Sequence, residues 1–297
     1  MTNKITVIGS INMDLVTRTT SLPQMGETVL GSSFLTTPGG KGANQAVAAA
    51  KLGADVTLIG CVGDDMFGDQ LKRHLQNQGV RTDYIKTVKV ETGIASITLA
   101  NGDNSIIVVP GANSELSVQM VEELEHEIAG SKVLLLQLEI PLATVYKAVE
   151  LANKHKVRVI LNPAPIQLLP KELLQKVDYL TPNEYEQTLL ITASQLTATE
   201  RKEIEEKCIV TKGNKGVSFF EKFFTEVPAY TVEVVDSTGA GDSFNGALAV
   251  ALGEGKMLQE AILFANAVGA LSVTKLGAQT GMPTKEEVTS FLLSIEG

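Results

Sequence analysis

The sequence predicts an α/β fold: a mostly parallel sheet with helices on both faces. Three observations carry this. Short β-rich runs alternate with stretches of helical period, separated by Gly, Asp or Asn turns, and such alternation builds βαβ units. The strand-like runs are continuously apolar, as strands covered on both faces are. The 297 residues are 44% hydrophobic and 20% charged, a composition suited to a large buried core and to one large domain or two small ones.

Taken in order, Ile5–Gly9 reads as the first strand. Gly42–Leu52 is an Ala-rich helix ended by Gly53, Val56–Cys61 a strand, and Met66–Gln78 a helix ended by Gly79. Val133–Gln137, Val157–Leu161, Tyr179–Thr181 and Cys208–Thr211 read as strands, with Leu142–His155 and Ser194–Lys207 as helices between them. Phe219–Phe224 and Val232–Val235 read as the last strands. Gly241–Leu252, Leu258–Thr274 and Lys285–Ile295 carry apolar residues at helical spacing.

Two stretches break the rhythm. Asn12–Thr37 and Thr92–Val109 read as antiparallel hairpins, the second around Asn101-Gly102-Asp103-Asn104, a strong turn signal. With no helices of their own, they predict a small sheet projecting from the α/β body. No internal repeat or low-complexity segment interrupts the chain.

The formal charge is −9, which argues against binding nucleic acid by bulk charge and against docking on an anionic membrane. An anionic ligand must then be held by local devices. Cys61 and Cys208 fall in apolar runs and read as buried thiols, too few for a disulfide framework. A strand-like run begins at Ile5 without a preceding leader, and the apolar runs are far short of a membrane span, so a cytoplasmic location is expected. His74, His126 and His155 lie in helical stretches among charged residues and read as solvated; no zinc pattern is present.

Four motifs carry candidate chemistry. Val234 to Gly246 runs from a strand through Thr238-Gly239-Ala240-Gly241-Asp242 into a helix. Its unpaired N–H groups and the helix dipole make an anion site, and the small residues allow close approach of a ligand. Asp242 stands where a base would meet an accepting hydroxyl, although a bare helix cap explains it equally well. Pro38 to Ala46, with Gly39-Gly40-Lys41-Gly42, also opens a helix, but lacks the spacing of a P-loop; Gly-x-Gly-x-x-Gly is missing too. Thr181-Pro182-Asn183-Glu184-Tyr185-Glu186 sets Asn183 and Glu186 on one side of a helix start, as metal–phosphate ligands or as plain capping residues. Ile209 to Val217 is a strand, a turn with Lys212 and Lys215, and a strand: a nucleotide-side turn or merely a hairpin.

The ordered set Asn12-x-Asp14, Gly39 to Ala46, Gln137-Leu138-Glu139, Asn162-Pro163-Ala164-Pro165, Thr181 to Glu184 and Asp236 to Asp242 resembles the ribokinase family of sugar kinases over nearly the whole chain. The resemblance implies a three-layer α/β/α sandwich with a mostly parallel central sheet and a small antiparallel β lid. It implies one domain over residues 1–297, the lid being the hairpins at about 12–37 and 92–109, and a homodimer clasped through that lid. The implied reaction is ATP-dependent phosphorylation of the 5-hydroxyl of D-ribose, with deoxyribose, a ketohexose or a nucleoside as alternative acceptors; a non-catalytic sugar-binding regulator is disfavoured by the intact glycine turn and Asp242.

Carried over residue by residue, the resemblance makes Asp242 the base and Gly239, Ala240 and Gly241 the anion hole. It puts Asn12, Met13, Asp14, Gly40, Lys41, Gly42, Ala43, Asn44 and Glu139 on the sugar. It puts Asn183, Glu186, Thr211, Lys212, Gly213, Asn214, Lys215, Gly216, Gly241 and Asn266 on ATP with Mg2+. It puts Asp236, Thr238, Ser272, Lys275, Gly277 and Gly281 around K+. The segment from Asn183 to Gly213 is shorter than is usual for the family, with one modest helix expected over Ile191–Glu206, which leaves base preference open.

Overall fold

The computed structural model describes residues 2–101, 103–193 and 196–296. The chain begins with β1 (Lys4–Ile8), β2 (Asn12–Thr19), β3 (Gly31–Gly39), α1 (Lys41–Lys51), β4 (Asp55–Gly63), α2 (Met66–Asn77) and β5 (Ile85–Val88). It continues through β6 (Gly93–Ala100), β7 (Asp103–Val109), α3 (Val118–Glu123), α4 (Glu125–Ala129), β8 (Val133–Leu136), α5 (Leu142–Lys154) and β9 (Arg158–Leu161). Next come α6 (Lys171–Lys176), β10 (Tyr179–Leu180), α7 (Glu184–Ala193), α8 (Ala198–Lys207), β11 (Ile209–Thr211), β12 (Val217–Phe220) and β13 (Phe224–Val227). Four helices close the chain: α9 (Ala240–Gly253), α10 (Leu258–Ser272), α11 (Ala278–Gly281) and α12 (Lys285–Glu296).

The central sheet has the order β10-β9-β8-β1-β4-β5, and every pair in it is parallel. Helices cover both faces, which gives the expected three layers. The period of two decides which side chain goes where. Ile5 and Val7 of β1 pack with α1, α9 and α10, whereas Ile8 packs with α5 on the other face. Val133 and Leu135 of β8 divide from Leu134 and Leu136 in the same way.

A second sheet, β11-β12-β13, is antiparallel. Bridges Leu180↔Cys208 and Asn183↔Thr211 tie it to the end of the central sheet. The third sheet has the order β3-β2-β6-β7. It is built from the two expected hairpins, joined by a parallel β2–β6 pair. Asn101 turns with φ 55°, a left-handed conformation that asparagine tolerates; Gly102 lies outside the described residues.

The structure changes several boundaries. Phe219–Phe224 is not one strand: β12 ends at Phe220 and β13 begins at Phe224, with a turn over Glu221–Phe223. Val232–Val235 is a loop, because the Val235 N–H donates to Val273 O at the end of α10 rather than to a strand. The helix expected from Ser194, itself outside the described residues, starts at Ala198, where Thr197 and Glu200 form a reciprocal cap. Helix α8 is the modest helix expected over Ile191–Glu206, and α7 precedes it from the helix start read at Asn183–Glu186. Helices α3, α4 and α6 are too short to show a period.

Cys61 and Cys208 are buried, and burial pushes the thiols up to about 11 and about 12. No helix among the described residues is long and apolar enough to cross a membrane.

Candidate active site

The loops that follow β1, β8, β9 and β10 meet at one end of the central sheet. Open parallel sheets hold ligands there, at the carboxyl ends of their strands. Gly239 adopts φ 78° and caps α9 at this edge. A Cβ at Gly239 would come within 2.8 Å of the Ala278 Cβ, whereas one at Gly241 would meet nothing within 4 Å. The first turn of α9 is therefore open beside Gly241, while the Ala240 N–H donates to Ser237 O at 3.3 Å.

Asp242 follows in that turn and is 8% exposed. Its Oδ2 accepts from Asn44 Nδ2 at 2.9 Å and its Oδ1 from Gln45 Nε2 at 3.0 Å. Both amides come from α1, so one helix orients the carboxylate that the other carries. A web of amides extends from them. Gln45 Oε1 accepts from Gln137 Nε2 at 2.6 Å, and Gln45 Nε2 also reaches Asn162 Oδ1 at 3.3 Å. Asn162 Nδ2 donates to Thr181 O, Thr181 Oγ1 to Asn245 Oδ1, and Asn245 Nδ2 to Gly241 O. Each oxygen of Asp242 can still accept one more hydrogen bond.

On one side of Asp242 lie Asn12, Asp14, Lys41 and Glu139. Asn12 and Asp14 come from the base of β2, where Asn12 pairs with Gly39 of β3. Gly40, at φ 90°, brings the chain against Ser10, Ile11 and Asn12, and a Cβ there would lie 2.7 Å from Asn12 N. Asp14 is pushed up to about 7, first by burial, then by Glu139 and Asp242, against Lys41. Burial alone would lower Lys41; the carboxylates of Asp242, Glu139, Glu186 and Asp14 outweigh it and hold Lys41 above its usual value. Lys41 thus faces carboxylates from both halves of the cleft. Met13 is buried in the core, and Gly42 and Ala43 seat the start of α1 against β1; Ala43 N donates to Ser10 O.

On the other side, Lys41, Asn183, Glu186, Thr211, Ser237 and Gly239–Asp242 line a polar cleft. It continues into a cavity of about 500 Å³ lined by Gly213, Asn214, Gly216, Tyr230, Phe244 and Asn266, among others. That size and mixed lining suit a small-molecule ligand. Asn183 and Glu186 exchange hydrogen bonds, each side chain accepting from the other's backbone N–H at 2.8 Å, so they do cap α7. Burial nevertheless raises Glu186, against the Asn183 N–H and Lys41, because its carboxyl faces the cleft. Lys212 and Lys215 turn away: Lys212 pairs with Glu226 at 2.6 Å and Lys215 with Glu184 at 3.6 Å. Of that turn, Gly213, Asn214 and Gly216 line the cavity.

Behind the α9 turn, Asp236 Oδ1 accepts from Thr238 N and Oγ1, and its Oδ2 from Gly277 N. Burial works upward on Asp236, and these bonds hold it below the ordinary value. The carbonyls of Ser272 and Lys275 converge on Gly281, where a Cβ would lie 2.4 and 3.5 Å from them. The Lys275 side chain itself pairs with Glu287 at 2.7 Å.

Sequence reasoning missed the residues that hold these groups in place. Ser10 Oγ donates to Glu139 Oε2. Asn113 Nδ2 donates to Asn12 Oδ1 at 2.7 Å while its Oδ1 accepts from Ile11 N. Gln45, Gln137, Asn162 and Asn245 sat in the quoted motifs without a role. A signal existed: amides inside apolar or Ala-rich runs must find buried partners. His74 is not a solvated residue; its Nε2 lies 2.7 Å from Gln279 Oε1.

The comparisons agree with this geometry. Residues 2–285 match the pfkB family of carbohydrate kinases. A ribokinase of Bacillus subtilis is 47% identical over 97% of this chain and 99% of that protein. A deoxyribokinase of Salmonella typhi is 38% identical over 97% and 98%. The structure of Arabidopsis thaliana ribokinase complexed with ribose and ATP superposes with a TM-score of 0.90 at 33% identity, covering 98% of this chain and 99% of that one. The chain belongs to the pfkB family of carbohydrate kinases. Within it, the chain is a ribokinase-like sugar kinase, a phosphotransferase with an alcohol as acceptor.

Proposed function

We propose that this enzyme transfers the γ-phosphoryl group of ATP to the 5-hydroxyl of D-ribose, giving ribose 5-phosphate and ADP. The observation that carries the reading is Asp242: a buried carboxylate in the first turn of α9, held by Asn44 and Gln45, between the polar group Asn12, Asp14, Lys41 and Glu139 and a cavity of about 500 Å³. The A. thaliana complex supports ribose and ATP as the ligands.

Phosphoryl transfer requires positioning and charge neutralisation more than covalent chemistry. Asn12, Asp14 and Glu139 would accept from sugar hydroxyls, and Asp242 would take the proton of the attacking one. The N–H groups of Gly239–Gly241 would meet the transferred phosphoryl oxygens, with Lys41 beside them. Mg2+ arrives with ATP. Among the described residues no group of three or more His, Cys, Asp or Glu could hold a metal ion; Glu186, at the polar cleft, would face the ion that the phosphates bring. The sheet β3-β2-β6-β7 would act as the lid of a single α/β domain and exclude water from the transfer.

The oxygens of Ser272 and Lys275, with Gly281 leaving the space a Cβ would fill, fit a monovalent cation. Such an ion would fix the carbonyls behind the anion hole. Rates in potassium buffer are expected to exceed those in sodium at equal ionic strength; equal rates count against it.

A second reading, a deoxyribose acceptor, is favoured by the S. typhi relative. ADP release with ribose, 2-deoxyribose, fructose and adenosine separates the two. Asp242→Asn is expected to lower kcat by ~10²–10⁴-fold while leaving sugar and ATP affinity within about tenfold. An Asn variant keeping more than about a tenth of kcat would remove Asp242 as the base.

A further inference from the structure

A line of hydrogen bonds runs from Asp242 to the edge of the molecule. Asn44 Nδ2 donates to Asp242 Oδ2 at 2.9 Å, Gln279 Nε2 to Asn44 Oδ1 at 2.9 Å, and His74 Nε2 lies 2.7 Å from Gln279 Oε1. Asp242, Asn44 and Gln279 are each less than 9% exposed, and His74 is half-buried on α2. The chemistry of the groups sets the direction of the whole line. An ionised carboxylate only accepts, so Asn44 must turn its Nδ2 toward Asp242 and its Oδ1 outward. Gln279 must then offer Nε2 inward and Oε1 outward. The last member, His74, must therefore carry a proton on Nε2. A neutral Nε2–H imidazole and an imidazolium both satisfy this, so the line does not depend on the charge of His74.

We propose that His74 is a positioning residue for phosphoryl transfer: its Nε2–H locks the two amides in the orientation that points Asn44 at the Asp242 carboxylate. This rests on the reading of Asp242 as the base. The location of Gln279 strengthens the case. It belongs to α11, and its backbone carbonyl accepts from Lys51 Nζ at 2.8 Å, so its main chain is fixed independently of His74. What His74 adds is amide polarity. Without a donor at position 74, Gln279 Oε1 is left buried and unpaired, and nothing at that end holds the amide against flipping. A flipped Gln279 presents oxygen to Asn44, and a flipped Asn44 presents oxygen to Asp242, so two acceptors face each other beside the reacting hydroxyl.

Steady-state kinetics on three variants tests this, with Asp242→Asn run alongside. His74→Leu is expected to lower kcat about tenfold to hundredfold, the scale of a misplaced catalytic group, with both KM values within about threefold. His74→Gln supplies an Nε2 donor of similar reach and is expected to restore most of kcat. Gln279→Glu keeps its bond with His74 but cannot donate to Asn44 when ionised, and is expected to lose kcat to the extent that His74→Leu does. That variant also keeps the test alive if His74→Leu fails to fold. His74→Leu or Gln279→Glu at wild-type kcat, or His74→Gln as impaired as His74→Leu, overturns the proposal. An inactive Asp242→Asn beside a fully active His74→Leu sinks the relay alone; an active Asp242→Asn sinks the base on which it rests.

Discussion

At the scale of single residues, the proposed place of Asp14 on the sugar would link affinity to pH, and its burial links stability to pH. Its carboxyl titrates near pH 7 because burial and the neighbouring Glu139 and Asp242 disfavour the anion more than Lys41 favours it. Only the anion accepts hydrogen bonds from two sugar hydroxyls at full strength. The kcat/KM for the sugar, which reports the free enzyme, is therefore expected to fall as pH drops through about 7; a flat profile between pH 6 and 8 would contradict this. The sign reverses for folding. A carboxyl whose folded pKa lies above the unfolded 3.8 binds more protons in the folded state between about 4 and 7. Stability then declines as pH rises through that window, and above it the ionised group opposes the fold. Asp14→Asn should melt higher than the wild type at pH 8, with the gap closing near pH 4. A gap that does not change with pH would show that Asp14 is not the group responsible.

At the scale of elements, the crossing of α1 and α9 brings Asn44 and Gln45 onto Asp242, the proposed base. Gly246 permits the crossing: a Cβ there would lie 2.7 Å from Ala48 Cβ, 2.8 Å from Gln45 O and 3.0 Å from Ala49 N. Backbone cannot yield as a flexible side chain does, so Gly246→Ala must push α1 outward and carry Asn44 and Gln45 away from Asp242. We expect kcat to fall about tenfold or more and stability by ~1–3 kcal/mol, the cost of overpacking. Kinetics with a urea midpoint would check both; unchanged kcat would mean that the two helices absorb the methyl without disturbing the carboxylate. The elements also show what periodicity carries. Helices α1, α2, α5, α9, α10 and α12 were legible because each runs through several turns rich in apolar residues, along one face in α2 and all round in α9. Helix α7 was not: its ten residues show little segregation of apolar side chains, and it begins in a segment read as a binding motif.

At the scale of the whole molecule, the sheet β3-β2-β6-β7, the proposed lid, is unfinished. Its edge strands β3 and β7 leave Phe34 63%, Ile106 51%, Ile107 65% and Val109 48% exposed. Successive residues of β7 are exposed, so neither face of that strand is fully covered. Open edges and apolar faces of this kind are normally covered, and a second copy related by a two-fold axis covers both at once. We expect sedimentation to give twice the 31.6 kDa chain mass at micromolar concentration, and Ile107→Lys to shift it toward one chain. A wild-type protein that sediments as a single chain would refute the assembly.

The sequence by itself determined the layering, the lid hairpins and the motifs that surround the cleft. Each follows from local rules: a period of two or 3.6, a turn residue, a glycine at a helix start. It also determined the family, because the six motifs occur in order. The tertiary structure decided what those motifs do for one another. Asn44 and Asp242 are 198 positions apart, and His74 and Gln279 are 205 apart. No spacing rule connects such pairs; they meet because α1, α9, α2 and α11 pack around one end of the sheet. The same packing turned Lys212 and Lys215 toward acids and away from the cavity, and set the half-buried His74 against Gln279. Polarity at a distance is a property of the packed network. A carboxylate that only accepts fixes each amide in turn, and that direction exists only once the chain has folded.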